Sequence, residues 1–316
     1  MTVHVISVGV SLRDSLADPG KSLRDRPELV QVIEDLAPQR LLADKGIIDG
    51  DGASAWLSSA LATPGSPERD DAAAGEVADL SVRTRPGVWP DSMSAELGTF
   101  ARVQGTGLLS RADIAVLVCS DTSDGLVSGL WNSVALAGGD LGRLNYLPVP
   151  ERALGQPRGQ AILARVRGLN AGDERGFRQA MRGLGQLGHN LLQADGADPA
   201  EPFKFYLSGG FKAAIPYLIG VAEGLRSIDP KRSVTAYVLH EATKSEAIRL
   251  PLRHLLSSRV RQELSDFGKA GRKDIERDVP ALLEGYGYER EGGMWQLTAF
   301  GEGLRAMFGL LPEGLQ

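Results

Sequence analysis

The chain has 316 residues, 42 % hydrophobic and 24 % charged, with a formal net charge of −5. These are the proportions of a globular protein long enough for two domains, and they exclude a fibrous or disordered chain and a general electrostatic attraction for nucleic acid. A single cysteine, Cys119, excludes an internal disulfide framework, and the four histidines, His4, His189, His240 and His254, lack the paired spacing of a zinc site.

In chain order, residues 3–10 read as a buried strand that ends in the turn Gly9-Val10-Ser11-Leu12. Residues 26–62 read as largely helical, with an apolar face through Leu29, Val32, Ile33 and Leu36, and the Pro-, Gly- and Ser-rich stretch 63–78 reads as a solvated loop. Ser92 to Val103 is predicted to be a helix with Ala95, Leu97, Phe100 and Val103 inward. Ala112 to Ser120 is a continuous apolar run, the pattern of a central parallel strand, and places Cys119 as buried filler. The turn Asp121-Thr122-Ser123-Asp124-Gly125 opens a helix from Leu126 to Leu136. Asn145 to Val149 is a further strand, followed by a polar connection and a helix from Gly176 to Leu192. Phe203 to Leu207 is a short strand, Ala213 to Leu225 a helix, and Val234 to Leu239 another strand. After residue 240 the pattern changes. Ser245–Phe267 and Lys273–Glu284 read as helices, residues 287–298 as a hairpin around Gly292-Gly293, and Ala299–Phe308 as a closing helix.

Alternating strands and helices give an α/β fold with a Rossmann-like, mostly parallel sheet of about five strands. The expected division is a ligand-binding domain over 1–240 and a winged-helix-like α+β domain over 241–316. No run approaches the roughly 18 apolar residues that span a bilayer. The first residues carry no basic leader, so a cytoplasmic protein without membrane contact is expected.

Ligands in open α/β sheets sit beyond the carboxyl ends of the strands. Three turns leave strands there: Gly9–Leu12, Ser120–Gly125 and Ser208–Lys212. The last, Ser208-Gly209-Gly210-Phe211-Lys212, joins a strand to a helix. Glycines let a ligand approach the backbone, helix N-terminal N–H groups attract anions, and the lysine adds a mobile positive charge. The turn is a phosphate cradle by chemistry, but it has neither P-loop nor GxGxxG spacing.

SGGFKAAIPYL, residues 208–218, resembles the [ST]GGFK-x3-PY signature of CRISPR-associated Rossmann-fold (CARF) proteins, with ring nucleases and type III CRISPR sensors as the nearest kin. Gly9-Val10-Ser11-Leu12, Ser94-Ala95-Glu96-Leu97, Ser120–Gly125 and Trp295-Gln296-Leu297-Thr298-Ala299-Phe300-Gly301 are similar to further family stretches in the same order. Val10 departs from the pattern, standing where threonine is usual.

The resemblance implies a homodimer that binds one cyclic oligoadenylate, a ring of four adenylates with a ring of six also compatible, and cuts it without metal or cofactor to linear di-adenylate with 2′,3′-cyclic phosphate ends. It implies Lys212 and Ser11 as catalytic residues. The ligand would be held by Gly9, Val10, Ser11, Ser120, Asp121, Thr122, Gly125, Ser208, Gly209, Gly210, Phe211 and Lys212. Plainer roles stand beside these: Lys212 binding in a sensor that never cleaves, Ser11 as a helix cap, and Asp121, Thr122 and Gly125 shaping their turn. Glu96 either reaches the pocket or lies on the helix surface, with the surface favoured. Arg249…His254 and Arg182…His189 have the spacing of a helical ribonuclease motif but lack its polar neighbour. A DNA-binding regulator is disfavoured, because residues 231–316 carry 13 Lys and Arg against 12 Asp and Glu. A stripe through Arg259, Arg261, Arg272, Lys273 and Arg277 is the feature that would serve it.

Overall fold

A computed structural model describes residues 1–9, 30, 41–83, 93–149, 159–170, 172–193, 201–210, 212–239, 246–274 and 281–312. Val10, Ser11, Leu12, Phe211, the proposed apolar face Leu29–Leu36, His240 and Arg277 lie outside them.

The frame is a seven-stranded sheet. Its strands are β1 (Val3–Val8), β2 (Ile114–Cys119), β3 (Leu144–Val149), β4 (Ala161–Val166), β5 (Phe203–Tyr206), β6 (Val234–Leu239) and β7 (Ala247–Leu250). The order is β3-β4-β2-β1-β5-β6-β7, all parallel except β7, which runs antiparallel to β6. Every residue of β1, β2 and β4 is buried, as expected of strands covered on both faces. β1 pairs with β2 from Val3↔Ile114 to Val8↔Cys119 and with β5 from Val3↔Phe203 to Ile6↔Tyr206.

Among the described residues one face is covered by α1 (Gly50–Ala60), α2 (Asp71–Arg83), α3 (Ala95–Gln104) and α4 (Ser123–Leu136). Their Leu57, Val77, Phe100 and Trp131 are buried with Ile6, Leu117 and Tyr206 of the sheet. The other face is covered by α5 (Glu174–Gln193) and α6 (Ile215–Ile228). Behind these lie α7 (Ser257–Leu264), an antiparallel sheet of β8 (Arg272–Asp274), β9 (Tyr288–Glu291) and β10 (Met294–Leu297) in the order β8-β10-β9, and α8 (Ala299–Met307). Val260, Leu264, Trp295, Leu304 and Phe308 of this last region belong to the same buried cluster as Val5, Val116 and Phe205. In it α5 packs closely on α8, where a Cβ on Gly185 would lie 1.9 Å from the Gly303 carbonyl oxygen.

Several expectations change. The stretch 63–78 is a loop only to residue 70, because α2 begins at Asp71: the Asp70 carboxylate accepts from the N–H groups of Ala72 and Ala73, and Ala73 and Val77 are buried. Residues 161–166 form a central strand, unrecognised because Arg165 interrupts its apolar run. Ser245–Phe267 is not one helix. Residues 247–250 extend the main sheet, Pro251 bars helix at that point, and only 257–264 are helical. Residues 272–274, at the edge of the expected helix Lys273–Glu284, form β8. The hairpin is present, with its glycines at φ 58° and 80°, as a two-residue primed turn requires.

Candidate functional site

The chain passes from β1 to β2 on one side and later returns to β5 on the other, so the switch in strand order falls at β1. In such a sheet the crevice opens where β1 ends. Gly9 follows β1 there, and Leu207-Ser208-Gly209-Gly210 follows β5.

These two turns are in backbone contact. A Cβ on Gly9 would lie 2.5 Å from the Gly210 nitrogen, so only glycine fits. Gly210 has φ +98°, and the Ser7 hydroxyl donates to the Gly209 carbonyl at 2.6 Å. Ser208 holds the turn to its other neighbours. Its Oγ accepts from the Leu239 N–H at 2.6 Å, at the end of β6, and lies 2.5 Å from Thr99 Oγ1 on α3. Lys212 is exposed at the start of a 3-10 turn, Lys212–Ala214, that leads into α6. Pro216 stands in the first turn of α6, and Ala214 at its N-cap offers no side-chain acceptor to the helix N–H groups.

α3 was expected to hold Glu96 on its surface. Glu96 is instead 1 % exposed, and Oε1 accepts from the Gly9 N–H at 2.7 Å. The helix starts at Ser94, whose hydroxyl accepts from the Leu97 N–H at 3.0 Å, and this fixes which face of the first turn looks at the sheet. Glu96 and Thr99, three residues apart, share that face. The sequence offered one usable sign, a carboxylate and a hydroxyl at helical spacing among apolar neighbours.

The turn after β2 is built differently. Thr122 caps α4 by accepting from the Gly125 N–H at 3.0 Å, and Ser120 Oγ lies 3.2 Å from Thr122 Oγ1. A Cβ on Gly125 would lie 1.9 Å from Ser120 Oγ. Asp121 accepts from Arg165 Nε at 2.6 Å and from the Gly168 N–H at 2.8 Å, so both carboxylate oxygens are engaged by β4 and the turn beyond it. Arg165, with its side chain 5 % exposed, also pairs with Asp51, whose carboxyl it holds below the usual range through a hydrogen bond and its charge. Asp121, Thr122 and Gly125 therefore shape this turn. Cys119 is fully buried, and burial pushes its thiol well above its ordinary pKa, with Glu96 adding to the effect, which disfavours the thiolate.

Of the two Arg…His spacings, the pair on α5 has structural partners and the other begins in a strand, not a helix. Arg182 pairs with Glu302 of α8, His189 Nδ1 lies 3.2 Å from the Met307 carbonyl oxygen, and Arg249 is in strand β7. Four members of the proposed basic stripe are likewise engaged. Arg259 pairs with Glu263 at 3.4 Å and Arg261 donates to the Phe308 carbonyl at 2.9 Å. Arg272 donates to Gln296 at 2.8 Å and Lys273 pairs with Asp266 at 3.5 Å.

Sheet order, helical layers and crevice together define a doubly wound, Rossmann-like α/β protein. No protein-family model matches the chain, and no curated protein matches it. Among the described residues no helix is long and apolar enough to cross a membrane.

Proposed function

We propose that the chain is a CARF-type ring nuclease that binds cyclic tetra-adenylate across a homodimer and cleaves it to linear di-adenylate. The reading rests on one observation above the others. At the switch point of the sheet, Gly9 and Gly210 pack backbone against backbone, and an exposed lysine follows two residues after Gly210. The Gly9 N–H is taken by Glu96; glycine at 209 and 210 lets a phosphate approach the main chain closely, and the lysine supplies the charge that a polyanion needs. A two-fold assembly would present two such cradles to a ring of matching symmetry.

The chemistry assigned to the site is transfer within the ligand. The ribose 2′-oxygen attacks the adjacent phosphorus, the bond from phosphorus to the 5′-oxygen breaks, and a 2′,3′-cyclic phosphate remains. The 2′-hydroxyl proton leaves to solvent and the departing 5′-oxygen takes one up. Such a step is accelerated by holding the three reacting atoms in line and by stabilising charge on the phosphate oxygens, so a strong general base is not needed. Lys212 is assigned the charge and Ser11 the positioning of ribose or phosphate. A regulator acting through residues 241–316 is the weaker reading, because the four described members of the basic stripe, Arg259, Arg261, Arg272 and Lys273, have partners within the chain.

The test is incubation of wild type and Lys212→Ala with labelled cyclic tetra- and hexa-adenylate in EDTA. Linear products from the wild type, reduced roughly 100-fold or more by the substitution, are expected for loss of one transition-state donor. Binding without product at enzyme excess makes the protein a sensor. Absence of binding to either ring removes the CARF reading.

A further inference from the structure

We infer that Glu96 is a positioning residue, whose buried carboxylate fixes the turn after β1 against the turn after β5 and so sets the shape of the cradle. The inference uses three contacts. Oε1 of Glu96 accepts from the Gly9 N–H at 2.7 Å, which directs the chain as it leaves β1. The same oxygen lies 2.0 Å from where a Cβ on Gly209 would stand, so the carboxylate fills the space beneath the second turn and leaves room there only for glycine. One helical turn further on, Thr99 Oγ1 lies 2.5 Å from Ser208 Oγ. A single face of α3 thus touches both turns, and α3 is itself held to α4 by the hydrogen bond from Ser94 to Asn132 at 2.8 Å.

A carboxylate is a costly group to bury and is retained where it is hydrogen-bonded. Here it accepts from an N–H that the end of a strand leaves without a ladder partner, which a shorter or apolar side chain would not do. Glu96 touches the cradle's backbone and acts on the ligand through it. As far as it concerns catalysis, this assignment rests on the reading that the crevice takes a cyclic oligoadenylate; as far as it concerns the two turns, it does not.

The experiment has two arms, both on the full chain. In the first, amide hydrogen exchange of ligand-free wild type, Glu96→Gln and Glu96→Ala is followed over residues 3–9 and 203–210. Glutamine retains an oxygen that can accept from Gly9, so its exchange is expected to stay within about threefold of wild type. Alanine is expected to speed exchange at least tenfold at Gly9 and at 208–210, while the interior amides of β1 and β5 stay protected. Unchanged exchange in Glu96→Ala overturns the inference, and so does global loss of protection in Glu96→Gln, since the side chain would then serve the core and not the turns. In the second arm, cyclic tetra-adenylate turnover is measured. Glu96→Ala is expected to lower kcat at least tenfold, with glutamine restoring most of the loss. Equal kcat and KM in all three proteins overturns the positioning role in catalysis. If the wild type binds no ring, the ligand reading alone fails, and the exchange arm still decides Glu96.

Discussion

His4, the second residue of β1, is 1 % exposed and packs edge-on against Phe100 at 5.1 Å. Tyr206 accepts from Gln104 Nε2 at 2.6 Å, so its own proton points to His4 Nδ1 at 2.9 Å. That leaves the ring proton on Nε2, which faces Asp113 at 3.5 Å, and the imidazole neutral. Burial draws its pKa from 6.5 down to about 4, with Asp113 offsetting part of the effect. Above pH 6.5 the ring is neutral in both folded and unfolded chains, so stability does not depend on it. Between 6.5 and about 4 the unfolded chain takes up a proton that the folded one refuses, so stability falls as pH falls. The window amounts to about 3 kcal/mol at its acid end. Urea midpoints of wild type between pH 7 and 4.5 are expected to drop more steeply than those of His4→Gln; parallel slopes would remove His4 from the account. Nothing in the sequence marks this histidine, because its partners Phe100, Gln104, Asp113 and Tyr206 are spread over more than a hundred residues. The Ser208–Lys212 turn was legible for the opposite reason: its glycines and lysine are contiguous, and their chemistry is local.

At the level of elements, strands written as unbroken apolar runs were readable, as β1, β2 and β5 show. β4 was hidden by Arg165, a cation whose burial makes sense only with Asp51 and Asp121 in place. β7 was hidden because an edge strand four residues long has no pattern of its own. α3 was legible from its apolar spacing, read as Ser92–Val103, yet the inward direction of Glu96 was not, since it depends on where the two glycine turns come to rest. Close helix packing gives a sharper test. Gly185→Ala puts a methyl group 1.9 Å from the Gly303 carbonyl, and α5 and α8 must separate to admit it. The gain in helix propensity, about 1 kcal/mol, is outweighed by the overpacking, for an expected net loss of roughly 1–3 kcal/mol in urea unfolding. An unchanged midpoint would mean that α8 moves aside at no cost.

For the molecule as a whole, the expected boundary at 240 cuts through structure that is continuous. β7 pairs with β6 from Ala236↔Leu250 to Leu239↔Ala247, and α8 closes the core over Leu184, Val221 and Leu225. A chain ending at residue 240 is therefore expected to unfold without cooperativity and to lose the near-ultraviolet circular dichroism of packed aromatic rings. A sharp, wild-type-like urea transition in that fragment would instead make residues 1–240 an independent domain.

The place of β1 in the sheet bears on how the protein comes into being. Its two neighbours are supplied from far along the chain: the pairing with β2 spans 111 residues, as from Thr2 to Asp113, and the contact with the turn after β5 spans 202, as from Ser7 to Gly209. Loop-closure entropy grows only logarithmically, so the second closure costs roughly 0.5 kcal/mol more than the first. In time the difference is large. No nascent chain that stops short of residue 210 contains the crevice, and contacts of such long range are made late and slowly. β1 thus waits for some two hundred further residues of chain before its binding edge exists.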